Sequence, residues 1–284
     1  MSELQQLLYY ENYDILFVTE TWLHKNISSG ILDPNKHYNV LRKDRTNSTG
    51  GGVASLVKRN LSVSQILLDD TFADVELLCF DLTVCAKSKV RFFVAYRPPA
   101  YDAVAHNYMD LMIKCLQKYC EVGHTNVIVG DFNCPKMCWN YLRSSPDYIH
   151  LAFMDFVVKG GFTQFTNFCT RGNNLLDLVL SNDNHIVCSI SAKPPFGHSD
   201  HNVIDFQLNV KVADGDLQCD SSSTAMSWKY NWYMADFHGL EQSLSEINWD
   251  TFICLNPSAL SVWSAFLRTL WTAVDKFVPR RSAQ

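Results

Sequence analysis

The eight residues Asn126-Val-Ile-Val-Gly-Asp-Phe-Asn133 constrain this chain more than any other stretch. Val127, Ile128 and Val129 read as a short buried strand, and Gly130 opens the tight turn that ends it. Asp131 and Asn133 stand two apart, so on an extended backbone both face the same side. A carboxylate and a carboxamide on one face, at the mouth of a buried strand, can hold a water and a phosphate oxygen side by side. An Asp–Asn turn that merely caps a strand is written in the same letters. What ends the other strands decides between the two readings.

Asp14-Ile-Leu-Phe-Val-Thr19 is a second buried strand and runs directly into Glu20. A solvated loop glutamate would read the same. Val75 to Val84 and Lys89 to Tyr96 form two strands joined by a short turn around Lys87-Ser88. Pro98 and Pro99 stop the second and leave Tyr96 and Arg97 at its mouth; a core tyrosine with its hydroxyl outward is the alternative for Tyr96. Leu175-Leu-Asp-Leu-Val-Leu-Ser181 places Asp177 inside an apolar strand, where a carboxylate is costly unless paired or hydrogen-bonded. Ser199, Asp200 and His201 then put hydroxyl, carboxylate and imidazole together at the entrance of the strand that begins Asn202-Val-Ile-Asp-Phe. A lone structural histidine does not explain why Asp131, Asp177 and Asp200 gather at such places as well. His24, His106, His124, His150, His185 and His198 have no such company and read as structural or surface residues.

The remaining segments supply a scaffold. Ser2 to about Asn12, Asp102 to about Tyr119 and about Asp147 to Val158 carry helical stripes, the last closed by Gly160-Gly161. His37 to Arg45 reads as a basic polar loop, solvated or facing a polyanion. Gly50-Gly-Gly leads into a strand but lacks the lysine and spacing of a phosphate-binding P-loop. Thr170-Arg-Gly-Asn-Asn174 is a turn-rich loop with one base and several hydrogen-bonding groups. The polar tract within residues 213–227 reads as a flexible linker, and 228–284 as a helical appendage built from about Met234 to Ile247 and Pro257 to Phe277.

Charge and cysteine use bound the chemistry. A net charge of −5 argues against gripping nucleic acid by bulk charge alone, though not against bringing a divalent cation to a phosphate. The ten cysteines are scattered; Cys134 and Cys138 lack a second Cys/His pair at zinc-finger spacing. No run is apolar enough to span a membrane, and the first residues resemble no secretory signal, so a nuclear or cytoplasmic setting with reduced thiols is expected.

Thr19-Glu-Thr-Trp22, Tyr96-Arg-Pro-Pro99, Gly130-Asp-Phe-Asn133, Leu175-Leu-Asp-Leu-Val-Leu-Ser181 and Ser199-Asp-His-Asn202 occur in that order. The ordered set resembles the endonuclease/exonuclease/phosphatase superfamily, whose members include deoxyribonuclease I, exonuclease III and the apurinic endonucleases. Pro98-Pro99 and the Pro135 to Trp139 segment make it look more narrowly like the apurinic-type endonuclease domain of a non-LTR (LINE-like) retrotransposon. The resemblance implies an α/β fold, a four-layer α/β/β/α sandwich of two packed mixed sheets, over 1–212. It implies Mg²⁺ or Mn²⁺, DNA as partner, and a 228–284 connector that would precede a reverse transcriptase. Under it Glu20 and Asp200 serve the metal, Asp131 orients or deprotonates the attacking water, and Asn133 and Tyr96 hold the phosphate. His201 neutralises developing charge, with Asp177 fixing its ring. Arg97, Thr170, Arg171, Asn173, Asn174 and Ser199 then contact phosphate or DNA. Family members begin with a strand ending in Asn; this sequence starts at the helix that follows, so one sheet position is expected to be empty. Another phosphoesterase of the superfamily, or an inactive fragment that binds nucleic acid or a partner, are the competing readings.

Overall fold

Period-two burial along its strands and apolar stripes along its helices sort the first 210 residues into layers. The computed structural model describes residues 3–46, 49–85, 88–121, 123–210, 228–230, 234–254 and 259–282. In chain order come α1 (Glu3–Glu11), β1 (Ile15–Thr19), β2 (Tyr38–Lys43), β3 (Val53–Lys58), β4 (Val63–Ile66), β5 (Leu77–Cys85), β6 (Ser88–Tyr96) and α2 (Ala103–Tyr119). Next are β7 (Thr125–Asp131), β8 (Met137–Cys138), β9 (Arg143–Ser144) and α3 (Tyr148–Lys159). They are followed by β10 (Thr163–Gln164), β11 (Asp177–Ser181), β12 (Val187–Lys193) and β13 (Val203–Leu208).

One mixed sheet runs β10-β11-β7-β6-β5-β4, with β6 and β7 its parallel pair. Facing it are a three-stranded sheet, β1-β3-β2, and the β12-β13 pair. The core between them is apolar and aromatic: Phe80 stacks on Phe92 at 5.3 Å, Phe17 lies over both, and Val53, Val127 and Val179 fill in around them. The other face of the large sheet packs on α2 and α3 through Phe93, Met109, Met112, Phe132 and Phe153. The outer face of the small sheet packs on α1 through Leu8, Leu16 and Leu56. Each such fully buried side chain contributes about 1.5–3 kcal/mol, so the four layers hold without disulfides. This is the sandwich of packed mixed sheets with outer helices that the motifs imply.

The helices begin where the sequence supplies caps. The Asp102 side chain accepts from the Ala105 amide and that of Asp147 from the His150 amide. Gly130 has a reason to be glycine: its φ is +145°, and a Cβ there would overlap the Ala95 carbonyl of the neighbouring parallel strand. Residues 38–43, expected within a basic loop, are instead strand β2. Tyr38 and Val40 alternate inward beneath the lysines and arginines, and that period decides the conformation. β12 had no counterpart in the sequence reading.

The chain divides into two units, Met1–Leu217 and Gln218–Gln284. In the second, a two-stranded ribbon joins β14 (Trp228–Tyr230) to β15 (Arg280–Ser282) around α4 (Phe237–Ser245), α5 (Trp249–Cys254) and α6 (Ala259–Phe277). The expected appendage is therefore not wholly helical, and the expected first helix is shorter and followed by a second. The expected linker, the turn at Lys87 and the Pro257 helix start lie outside the described residues.

Within the first unit, a cavity of about 1460 Å³ runs between β1 and β13. Phe17, Phe92, Val94, Val129, Ile204 and Phe206 line it, and one end opens on Glu20, Asp131, Asp177 and His201. β1 and β13 are both edge strands there, each paired on one side only among the described residues.

Candidate active site

Strand register assembles the site. Tyr96 on β6 pairs across with Asp131 on β7, and Asp131 pairs with Asp177 on β11. Directly opposed residues share a face, so three adjacent strands deliver a hydroxyl and two carboxylates in one row. Asp177 is the first residue of its strand rather than an interior one, and it is partly exposed. Its backbone amide donates to the Thr170 hydroxyl at 3.1 Å.

The Asp131–Asn133 turn closes on itself. The Asn133 amide N–H donates to Asp131 Oδ1 at 2.9 Å, and its side-chain Nδ2 donates to Oδ2 at 2.9 Å. Asn133 is held at φ +48°, a left-handed conformation that asparagine tolerates better than most residues. Asp131 is 2% exposed. Burial, then the neighbouring Asp177 charge, pushes its carboxyl up to about 7, against the opposing pull of the Asn133 amide and His201. His201 Nδ1 lies 2.7 Å from Asp177 Oδ2. That hydrogen bond raises the imidazole above its ordinary value despite partial burial.

Glu20 follows the last residue of β1 with φ +51°, and Trp22 has φ +55°. The Trp22 indole donates to Glu20 Oε2 at 3.3 Å. The Tyr96 hydroxyl is hydrogen-bonded to Glu20, and burial together with that bond pushes the phenol well above its usual range. Tyr96 therefore stays a neutral donor aimed at the Glu20 carboxylate.

Other expected site residues take different positions. Arg97 is 1% exposed and does not face the cavity. Its guanidinium donates to the carbonyls of Phe132 at 2.6 Å, Ala100 at 2.8 Å and Asn133 at 2.7 Å, clamping the Asp131–Asn133 turn from behind. Asn133 returns the contact, Nδ2 to the Arg97 carbonyl at 2.8 Å, so both its amide hydrogens are engaged within the protein. Thr170 is fully buried and its hydroxyl holds the Leu176 and Asp177 amides, not a ligand. Asp200 stands apart from the acidic group: its carboxylate, 65% exposed, is 2.6 Å from Arg171 and 3.9 Å from the far ring nitrogen of His201. Arg171 does line the cavity mouth, while Asn173 and Asn174 form an exposed turn beside it. The Ser199 hydroxyl accepts from the His201 amide and so fixes the loop. Sequence reading missed Tyr101, whose hydroxyl donates to the Asn133 carbonyl, because nothing in Pro98-Pro-Ala-Tyr101 marks that direction. His150, read as a structural or surface residue, is fully buried against Asp147 behind the turn.

The donor set suits a hard cation. Ligand atoms of Asp131, Asp177 and His201 all lie within 4.8 Å of one another. One ring nitrogen of His201 is already committed to Asp177, which leaves carboxylate oxygens, Asp131 and the adjacent Glu20 foremost, to hold an ion such as Mg²⁺ or Mn²⁺.

No curated protein matches the sequence. An apurinic endonuclease from Archaeoglobus fulgidus shares the fold at 15% identity, with TM-score 0.54 over 72% of this chain and 92% of its own. The Leishmania major AP endonuclease LMAP aligns at 13% identity and TM-score 0.57, over 72% of this chain and 80% of its own. The 3′ phosphatase NExo from Neisseria, bound to a product DNA hairpin, aligns at 14% identity and TM-score 0.56, over 73% and 93%. At such identities the likeness is one of fold. The family model described as Endonuclease/Exonuclease/phosphatase family matches residues 1–201. That match takes in well over half of the sequence, from α1 through the Asp131 turn to His201, and the chain accordingly belongs to the endonuclease/exonuclease/phosphatase family.

Proposed function

We propose that the first unit is a divalent-metal-dependent endonuclease that hydrolyses DNA phosphodiester bonds, of the kind that nicks target DNA for retrotransposition. The observation that carries this reading is the convergence of Asp131, Asp177 and His201, far apart in sequence, on one cavity mouth.

Phosphodiesters are anionic and repel hydroxide, so a cleaving site must offset charge and aim a water. When bound, a divalent cation supplies charge neutralisation at the scissile phosphate and makes its water more acidic. Asp131 is held by two bonds from Asn133, and a carboxyl poised at about 7 takes a proton near neutral pH. His201, whose protonated form is favoured by the hydrogen bond to Asp177, faces the charge that builds on the phosphoryl oxygens. Glu20 contributes carboxylate oxygen to the cation, with Tyr96 orienting it. Arg171 and Ser199 line the mouth, Asn173 and Asn174 stand in the exposed turn beside Arg171, and all four are assigned to the DNA strand. The DNA hairpin bound to NExo, a neighbour in fold, supports nucleic acid as the substrate.

The retrotransposon assignment rests on the motif resemblance, and with it the 228–284 connector ahead of a reverse transcriptase. The groove between β1 and β13 supports the expectation of a further strand ahead of α1: it offers two ladder edges unpaired among the described residues and an apolar lining. Supercoiled plasmid with Mg²⁺ is the test. Nicked circles that disappear with a chelator are expected, strengthened when the extra strand is supplied. Turnover of a phosphomonoester without nicking would instead assign a phosphatase. Salt-sensitive DNA binding unchanged in Asp131→Ala and His201→Ala, without cleavage, would assign an inactive binding fragment.

A further inference from the structure

A buried ion pair away from the reacting groups has its own link to them. Glu76, immediately before β5, is 4% exposed. Its carboxylate accepts from Arg45 Nε at 2.8 Å, from a second Arg45 nitrogen and from the Gly52 amide. Burying a carboxylate this deeply is costly unless its oxygens are satisfied, and here both are. Such a pair is poor evidence of stability but good evidence of a fixed geometry.

What it fixes is the strained end of β1. Gly50, Gly51 and Gly52 all have positive φ, and a Cβ at Gly51 would collide with the Glu76 carboxylate and the Arg45 guanidinium. The carbonyls of Gly52 and Gly51 accept from the amides of Thr21 at 3.2 Å and Trp22 at 2.9 Å. Those bonds pin the two residues that follow Glu20, itself held left-handed at a cost of order 1 kcal/mol or more that the surroundings must over-determine. The Glu76 carbonyl also accepts from the Tyr96 amide at 2.9 Å, and the Arg45 guanidinium lies 5.8 Å from the centre of the Tyr96 ring. One ion pair thus grips the backbone on both sides of the Tyr96–Glu20 hydrogen bond.

We infer that Glu76 and Arg45 are positioning residues for the Glu20 carboxylate, setting the affinity of the site for its divalent cation. This rests on the metal-dependent reading above, so the experiment separates the two. Mn²⁺ binding to the purified protein is titrated by electron paramagnetic resonance, without substrate, alongside thermal unfolding of the metal-free protein. Glu20→Gln reports the metal reading: an unchanged affinity there removes Glu20 from the site and the reading with it. Given a loss in Glu20→Gln, Glu76→Gln is expected to weaken Mn²⁺ at least tenfold, with Glu76→Asp recovering part of the loss. Arg45→Lys, which keeps the charge but not the fork, is expected to lose affinity to an intermediate degree and stands in should Glu76→Gln not fold. Wild-type Mn²⁺ affinity in a folded Glu76→Gln or Arg45→Lys protein, whatever the change in melting temperature, would overturn the inference.

Discussion

At the scale of single residues, a buried carboxyl has opposite consequences with and without a metal. Between its ordinary value of 3.8 and about 7, Asp131 keeps a proton in the folded protein that the unfolded chain has lost. Its contribution to stability is therefore intact at low pH and falls as pH climbs through that window. The raised His201 has the same sign: the Asp177–His201 pair stabilises below its folded value and is lost above it. Metal-free protein should accordingly melt at lower temperature at pH 8 than at pH 5.5, and Asp131→Asn should flatten the slope. Cation binding needs the deprotonated carboxylate, so the melting-temperature gain from Mn²⁺ should grow over the same range. In nicking assays Asp131→Asn should lose roughly 10²–10⁴-fold, the span expected of a general base. Arg171 and Asp200 allow a second residue-level prediction. Their ion pair is exposed and hence exchangeable, and a phosphate competes with Asp200 for the guanidinium. Metal-free DNA binding should tighten in Asp200→Asn and weaken in Arg171→Ala, measured by fluorescence anisotropy at fixed salt. Equal weakening in both would show that Arg171 does not meet the phosphate. Asp131, Asp177 and His201 were legible because polar groups at the ends of apolar strands have few structural excuses. The direction of a side chain was not legible: Arg97 and Thr170 carry the right chemistry in the right motif but point into the protein, gripping the turn and Asp177. Glu76 left a signal that went unused, a lone carboxylate in Val75-Glu-Leu-Leu-Cys79.

At the scale of elements, strands that cross the core announced themselves and those at the margins did not. β5, β6 and β7 are near-continuous apolar runs, as burial on both faces requires. β2 hides its alternation under Arg42 and Lys43, and β12 spends its outward positions on Cys188, Ser189 and Ser191, so both read as polar connections. The parallel β6–β7 pair matters most to the site, because its register puts Tyr96 beside Asp131. Gly130 sits at φ +145° with no room for a Cβ against the Ala95 carbonyl. Gly130→Ala must therefore shift the end of β7 away from β6, at a cost of about 3 kcal/mol or more from combined strain and overpacking. Chemical denaturation should show that loss together with nicking reduced beyond what the unfolded fraction explains. A variant with wild-type stability would mean that the turn reaches its geometry without the close approach.

At the scale of the whole first unit, the cavity between β1 and β13 departs from a filled core. Close packing leaves few voids larger than a water in a domain, and 1460 Å³ far exceeds that. Phe17 and Phe206 meet across it at 6.2 Å, so the facing layer is bridged by side chains where a sheet would bridge it by backbone bonds. Edge strands with apolar inner faces recruit another strand, which here would come to lie with one end at Glu20 and Asp131. A protein extended ahead of Met1 by a strand of alternating apolar residues ending in Asn should thus melt higher and bind Mn²⁺ more tightly. Hydrogen exchange gives the local readout: amides of β1 and β13 should exchange quickly in the present chain and become protected in the extended one, while α2 and α3 stay unchanged. Protection already present at both edges, or an extension that leaves them exposed, would show that the groove is not a strand position.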